Sequence, residues 1–481
     1  MQKAEKRDNI VIAALSALLL LYIILRAYFL NLTHDEAHSY KSVLNFWHVQ
    51  FLCTGNSHWI NSLGMKCALW LGFESPLTLR WLSILSFAGI LFLAFQWIKT
   101  FESSSMKFSA FAFLFFNPYL IDYFSLARGY ASAMLLQCLC IYFFLNGIKN
   151  NDRKKLMLSL IFSGLASIAN FGFIYFFVAF VVVYFFMIYL KDRYHFWKEK
   201  KFYIDILTSL SFLGIILRTF KFLVECSNDL VGAGEFTIGE MFRVFVDGQA
   251  YHKINFNYSD IQLWGLLFLY VLIAVCVCGI FMNKRKKDPL YFYSSLIIII
   301  IISITVFNNL CFNVVFPYYR TALLLFIPIS VSFFSFFNLV FKNIVLKKTV
   351  LSIISFFLLV NFCLSMNLKF CFDFKEQADC KAAYDSAQND GAQKVGISPE
   401  VFGVFYNYYS RAKNYHYTFN YEMIETRFPV GMCAQLNKLK EYDHLILYPP
   451  YNFSYYRNSK VNLRVINYFP TTGLVVAKVL K

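Results

Sequence analysis

The segment Leu32-Thr33-His34-Asp35-Glu36-Ala37-His38-Ser39-Tyr40 sets two adjacent carboxylates between two histidines. Neighbouring acids repel when both ionise, which tends to raise the pKa of one and suits the pair to general-base work or to holding a cation. The same residues also describe a helix N-terminus capped by Thr33 or Asp35. A second polar group, His58-Trp59-Ile60-Asn61-Ser62, precedes the amphipathic stretch Gly64–Gly72. That stretch is too short to span a bilayer and suits a helix lying in the interface. A third group runs from Asn117-Pro118 through Asp122 to Ala127-Arg128-Gly129-Tyr130. Arg80, Arg218, Lys221 and Arg320 stand at the ends of apolar runs. A guanidinium grips phosphate through a bidentate fork, so Arg80, Arg128 and Arg320 are candidates to hold one. The alternative at each is a side chain snorkelling to lipid headgroups.

The elements that must position these residues are set by composition. Of 481 residues, 58% are hydrophobic and 15% charged, against about 25% charged in an ordinary soluble domain. With 57 Phe and 32 Tyr, the apolar area exceeds what a soluble core can hide, and the solvent must be lipid. This excludes a cytosolic enzyme and a disordered or fibrous chain. The net charge of +17 falls in short clusters between apolar runs, which does not describe a nucleic-acid surface.

The first apolar run, Ile10 to Leu30, follows a basic segment and lacks a small-residue cleavage site, so it reads as a retained signal anchor. Further runs occupy 77–98, 108–124, 130–148, 155–170, 173–190, 203–223, 261–282, 289–307, 321–341 and 349–366, giving about 11 transmembrane helices. Lys and Arg cluster in alternate connections, at Lys3/Lys6/Arg7, Lys99/Lys107, 149–155, 191–201, 284–287 and 342–348. The longer opposite loops, 31–76 and 224–260, hold few. This bias places the N-terminus in the cytoplasm and the first and later outer loops outside. The lean loops suit a bacterial inner membrane.

Residues 1–366 therefore form a multi-spanning domain, and 367–481 a soluble extracytoplasmic one. From Lys369 to Lys481 there are 14 Lys and Arg against 10 Asp and Glu, a normal soluble balance. Strands are expected at Lys394–Ser398, Tyr415–Phe419, His444–Tyr448, Leu463–Phe469 and Gly473–Leu480, with helices at Lys375–Gln388 and Pro399–Arg411. The fold class is a polytopic α-helical membrane protein with a small C-terminal α/β domain. Most of the 12 Cys lie in spans as small apolar residues. Cys371, Cys380 and Cys433 lie on the outer side, where a disulfide can form.

His34-Asp35-Glu36-Ala37 with Tyr40 resembles the first-loop acidic motif of C-type membrane glycosyltransferases, a group that includes protein O-mannosyltransferases and bacterial aminoarabinose transferases. His58, Gly72-Phe73-Glu74-Ser75 and Leu79-Arg80-Trp81 look like the family's next stretch. Asn117-Pro118 through Arg128-Gly129-Tyr130 is similar to a third. This chain has Trp59-Ile60 where many relatives have Pro-Leu. The likeness covers residues 1–140 and is topological beyond. It implies a sugar donor on a polyprenyl phosphate, used on the outer membrane face. It further implies Asp35 as catalytic base, Glu36 beside it, and Asp122 as a second acidic position. Arg128 and Arg320, with Arg80 near the outer end of its span, would hold the donor phosphate. His34, His38, Tyr40, His58 and Tyr130 are candidate donor or acceptor contacts.

The chemistry fits these residue types. Displacing a lipid phosphate from an anomeric carbon needs a base on the acceptor hydroxyl and positive charge on the leaving group. Arg or a divalent cation would supply that charge. A single displacement inverts the anomeric centre. The expected partners are the bilayer, the lipid-linked donor and a lipid, glycan or protein acceptor, with no nucleic acid. Two other classes stay open. An envelope polysaccharide polymerase or ligase would concentrate its key residues in a large late loop, and 224–260 holds no tight cluster. A flippase or transporter would carry charge deep in its spans and an internal repeat, and neither feature stands out.

Overall fold

The computed structural model describes residues 2–44, 58–101, 103–191, 200–226, 237–251, 258–282, 288–317, 319–341, 343–415, 417–424, 439–448 and 461–480. Its helices in chain order are α1 (Gln2–Phe29), α2 (His34–Leu44), α3 (Trp59–Trp70), α4 (Pro76–Leu79), α5 (Trp81–Ile98), α6 (Ser104–Phe115), α7 (Pro118–Phe124), α8 (Gly129–Asn150) and α9 (Arg153–Ala169). They continue with α10 (Ile174–Lys191), α11 (Lys200–Cys226), α12 (Ile238–Ala250), α13 (Tyr258–Met282), α14 (Pro289–Phe312), α15 (Phe326–Val340), α16 (Ile344–Ser365), α17 (Cys380–Asn389) and α18 (Pro399–Val404).

Among the described residues, nine helical segments are long and apolar enough to cross a membrane, and the chain is a multi-pass integral membrane protein. Two of the eleven expected runs take other forms. The run 108–124 is divided at Asn117-Pro118. The Pro118 ring cannot continue α6, and the Asn117 side chain accepts from Leu120 N to cap α7 afresh. The run 155–170 becomes α9, whose 17 residues reach only about 26 Å at 1.5 Å per residue. The basic residues 193, 198, 284–287 and 342, and much of the 224–260 loop, lie outside the described residues.

The chain divides into two compact units. The first comprises Met1–Ile23, Val49–Asn61 and Trp81–Met366. In it α8 packs on α5 and α9, α9 on α10 and α11, α14 on α10, α13 and α15, and α6 on α15 and α16. Its outward surface is apolar: Phe356, Phe357 and Leu364 on α16 are 60%, 65% and 71% exposed. Such exposure is stable only against lipid. One buried polar staple stands out, Arg153 on α9 paired with Asp205 on α11, which also accepts from the Tyr184 hydroxyl at 2.8 Å.

The second unit comprises Ile24–His48, Ser62–Arg80 and Asn367–Lys481. Among the described residues its sheet has five strands: β1 (Lys394–Ile397), β2 (Asn420–Met423), β3 (His444–Leu447), β4 (Asn462–Phe469) and β5 (Leu474–Leu480). They lie in the order β2-β1-β3-β5-β4, with β1 parallel to β2 and β3, and β5 antiparallel to β3 and β4. The small α/β domain thus forms as expected, with one shift. The described residues of 415–419 are not in a strand; β2 begins at Asn420. Tyr417 and Phe419 instead pack with Tyr384 and Phe405 in an aromatic cluster. Cys371 and Cys380 are buried, Cys371 accepting from Arg26 Nη2 at 3.5 Å, and Cys433 lies outside the described residues.

Candidate functional site

In the second unit, α2 opens with a reciprocal cap. Thr33 N donates to Glu36 Oε2 at 2.9 Å, and Glu36 N donates to Thr33 Oγ1 at 3.3 Å. This is a Thr-x-x-Glu capping box, which satisfies two amides that no helical carbonyl can reach. Glu36 is fully buried and also holds Arg80 bidentately, accepting from Nε at 2.8 Å and Nη2 at 2.7 Å. Burial alone would lower the Arg80 pKa; the charge and hydrogen bonds of Glu36, with smaller contributions from Cys371 and Tyr409, together outweigh it and hold the guanidinium above its ordinary value. The remaining Arg80 donors go to the Ala27, Leu30 and Asn31 carbonyls at 2.8–2.9 Å. Ala27 and Leu30 lie at the end of α1, where helix carbonyls lack partners. Arg80, expected at a phosphate, thus spends all five N–H donors joining α1, α2 and its own turn.

Asp35 follows at the second position of α2 and is 6% exposed. His34 is exposed, with Nδ1 3.9 Å from Asp35 Oδ1. His38 is half-buried on the same helix. Tyr40 is buried against Tyr408, ring centroids 5.0 Å apart and edge-on. Burial and the Glu74 charge push its hydroxyl up to about 12.

The first unit carries the other expected residues. His58 is buried, its ring 5.6 Å from that of Tyr130, and Tyr130 meets Tyr123 at 4.8 Å. Asn61 Nδ2 donates to Ala127 O at 2.7 Å, which fixes the turn leading into Arg128. Arg128 is 1% exposed at the N-terminal boundary of α8. Gly129 follows because a Cβ there would strike the Ala169 carbonyl and the His58 ring. Asp122 on α7 is 2% exposed and accepts the Tyr251 hydroxyl at 2.9 Å on both carboxylate oxygens. Arg320 lies on the short 3-10 segment Tyr319–Leu325, which packs on α12, and α12 in turn packs on α7.

Tyr251 is the residue that sequence reasoning passed over. It ends α12 in the left-handed region, at φ 48°, a conformation costly for a bulky side chain. The strained turn delivers its phenol to Asp122, 129 positions away in sequence. The only local trace is an aromatic residue where a helix C-terminus usually ends in Gly or Asn. Among the described residues, no three His, Cys, Asp or Glu side chains come together as a metal would require.

No protein-family model matches the sequence, nor does any curated protein. The fold does match. The chain superposes on the crystal structure of ArnT from Cupriavidus metallidurans in the apo state with a TM-score of 0.54 and 10% identity, over 97% of each chain. It superposes on the same protein bound to undecaprenyl phosphate with a TM-score of 0.55 and 9% identity, again over 97% of each. The C-type glycosyltransferase fold expected from the sequence is the fold of this chain.

Proposed function

We propose that this protein is a membrane glycosyltransferase that moves a sugar from a polyprenyl-phosphate donor to an acceptor hydroxyl on the extracytoplasmic face. The observation that carries this reading is the fold shared end to end with ArnT, one structure of which holds undecaprenyl phosphate. The residues support it. Glu36 is committed to its cap and to Arg80, so Asp35 is the acid of the pair assigned to the acceptor proton. In this reading the acceptor oxygen attacks the anomeric carbon as its proton passes to Asp35. The bond to the phosphate oxygen breaks on the opposite face, and the product is inverted. Arg128 and Arg320 hold the departing phosphate, and Asp122 is a second acid of the reaction. Arg80 and Glu36 act as positioning residues. His34, His38 and Tyr40 border Asp35, and His58 and Tyr130 border the Arg128 turn.

The test follows polyprenyl phosphate release from a panel of radiolabelled lipid-linked sugars, in membranes that supply envelope acceptors. The parent should release polyprenyl phosphate from one donor, and Asp35→Asn should lose about 10²–10⁴-fold, the usual worth of a general base. Full turnover in the variant removes Asp35 as the base. Silence of the parent with every donor overturns the transferase reading and favours the polymerase, ligase or flippase class.

A further inference from the structure

We infer that the C-terminal domain is a working part of the candidate site, and that Gln377 and Tyr409 are positioning residues that aim Asp35. The inference rests on the reading of Asp35 as base.

The direction of Asp35 is set by the turn before it. Of the amides at the start of α2, the capping box satisfies those of Thr33 and Glu36. His34 N is satisfied from another element: it donates to Gln377 Oε1 at 2.6 Å. Asn31, two residues before Thr33, is held at both ends of its amide. Its Nδ2 donates to Ala378 O at 2.5 Å, and its Oδ1 accepts from the Tyr409 hydroxyl at 3.2 Å. Further back, Arg26 donates to the Asn367 and Phe370 carbonyls at 2.6 and 3.0 Å. Every one of these partners belongs to 367–481.

The same domain also holds the far end of α2. Phe405–Tyr409 is wound as a π-helix, a local form found often at functional sites. It aims its two consecutive tyrosines at different partners. Tyr408 packs its ring on Tyr40 and donates to Glu74 O at 2.7 Å, while Tyr409 reaches Asn31. One turn earlier, Gly403 lets the chain pass the His34 imidazole, whose Nε2 would lie 2.6 Å from a Cβ built there. A loop ending in a helix cap has little stiffness of its own, and an error of about 1 Å in a reacting group can cost about 10²-fold. The domain supplies that stiffness.

The experiment uses the full chain in lipid nanodiscs and the variants Gln377→Ala, Tyr409→Phe and the pair. Amide hydrogen exchange over 31–44 should quicken about tenfold or more in the double variant, while β1, β3 and β5 keep their protection. With whichever donor the panel selects, kcat should fall about 10–100-fold and the donor KM should stay within about twofold. Tyr409→Phe alone, which leaves the Gln377 acceptor in place, should fall between the parent and the pair. Unchanged exchange over 31–44 overturns the proposal, and so does loss of protection throughout the strands, which would make these residues general folding contacts. Failure of the base assignment is seen separately: Asp35→Asn would then turn over like the parent, whatever the exchange shows.

Discussion

Two adjacent acids, identical in formal charge, stand in different surroundings. Glu36 has no solvent exposure and its carboxylate answers a backbone amide and a buried guanidinium at once. Removing one partner of such a pair leaves an unpaired buried charge, at a cost of about 3–5 kcal/mol. Glu36→Gln should therefore lower the unfolding midpoint of the protein in detergent markedly, whereas Asp35→Asn should leave it near the parent while cutting turnover by about 10²–10⁴-fold. Equal melting of the two variants would contradict this division. The cap was legible in sequence, because Thr33 and Glu36 stand at capping-box spacing. The arginine was legible as a functional candidate but not as a structural one, because its partner is 44 residues away and no local pattern encodes such a pairing.

At the level of elements, the apolar runs read as spans wherever a single helix suffices, and misread where a polar pair interrupts one. Asn117-Pro118 ends α6 and restarts the chain as α7, and only that break brings Asp122 out of a continuous helix into a short one facing α12. The meeting of α7 and α12 is equally non-local. Gly248 on α12 makes room for it, since a Cβ there would lie 2.8 Å from Tyr119 Cβ. Three residues later the α12 C-terminus turns Tyr251 into the left-handed region and onto Asp122. Tyr251→Phe keeps the ring and the turn but leaves a buried carboxylate without that donor, a loss of about 1–3 kcal/mol. We expect a lower melting temperature together with a fall in turnover of about tenfold or more. A variant that melts earlier but turns over normally would confine Tyr251 to stability.

Across the whole molecule, composition alone determined that lipid is the solvent, and the outward Phe and Leu of α16 are the physical form of that surplus. The α/β character of 367–481 was legible from its charge balance and strand runs. Its engagement with the Asp35 segment was not, because the carbonyls of Asn367, Phe370 and Ala378 carry no sequence signal. The domain also has an electrostatic clasp whose response to pH can be worked out. Asp390 accepts from His444 Nε2 at 3.0 Å and from Lys478 Nζ at 2.9 Å, joining the end of α17 to β3 and β5. Those two bonds hold its carboxyl near a pKa of about 2, below the ordinary 3.8. A carboxylate depressed in the folded state stabilises it fully above its unfolded value and loses that contribution as the pH falls through the folded one. The clasp should thus be complete above about pH 4 and fail progressively toward pH 2. Pepsin, active across that window, provides the readout. Cleavage within 390–480 should accelerate steeply in the parent between pH 4 and pH 2. Asp390→Asn should already be cleaved readily at pH 4 and show a flatter profile. Matching profiles in parent and variant would mean that the clasp does not hold the domain together in acid.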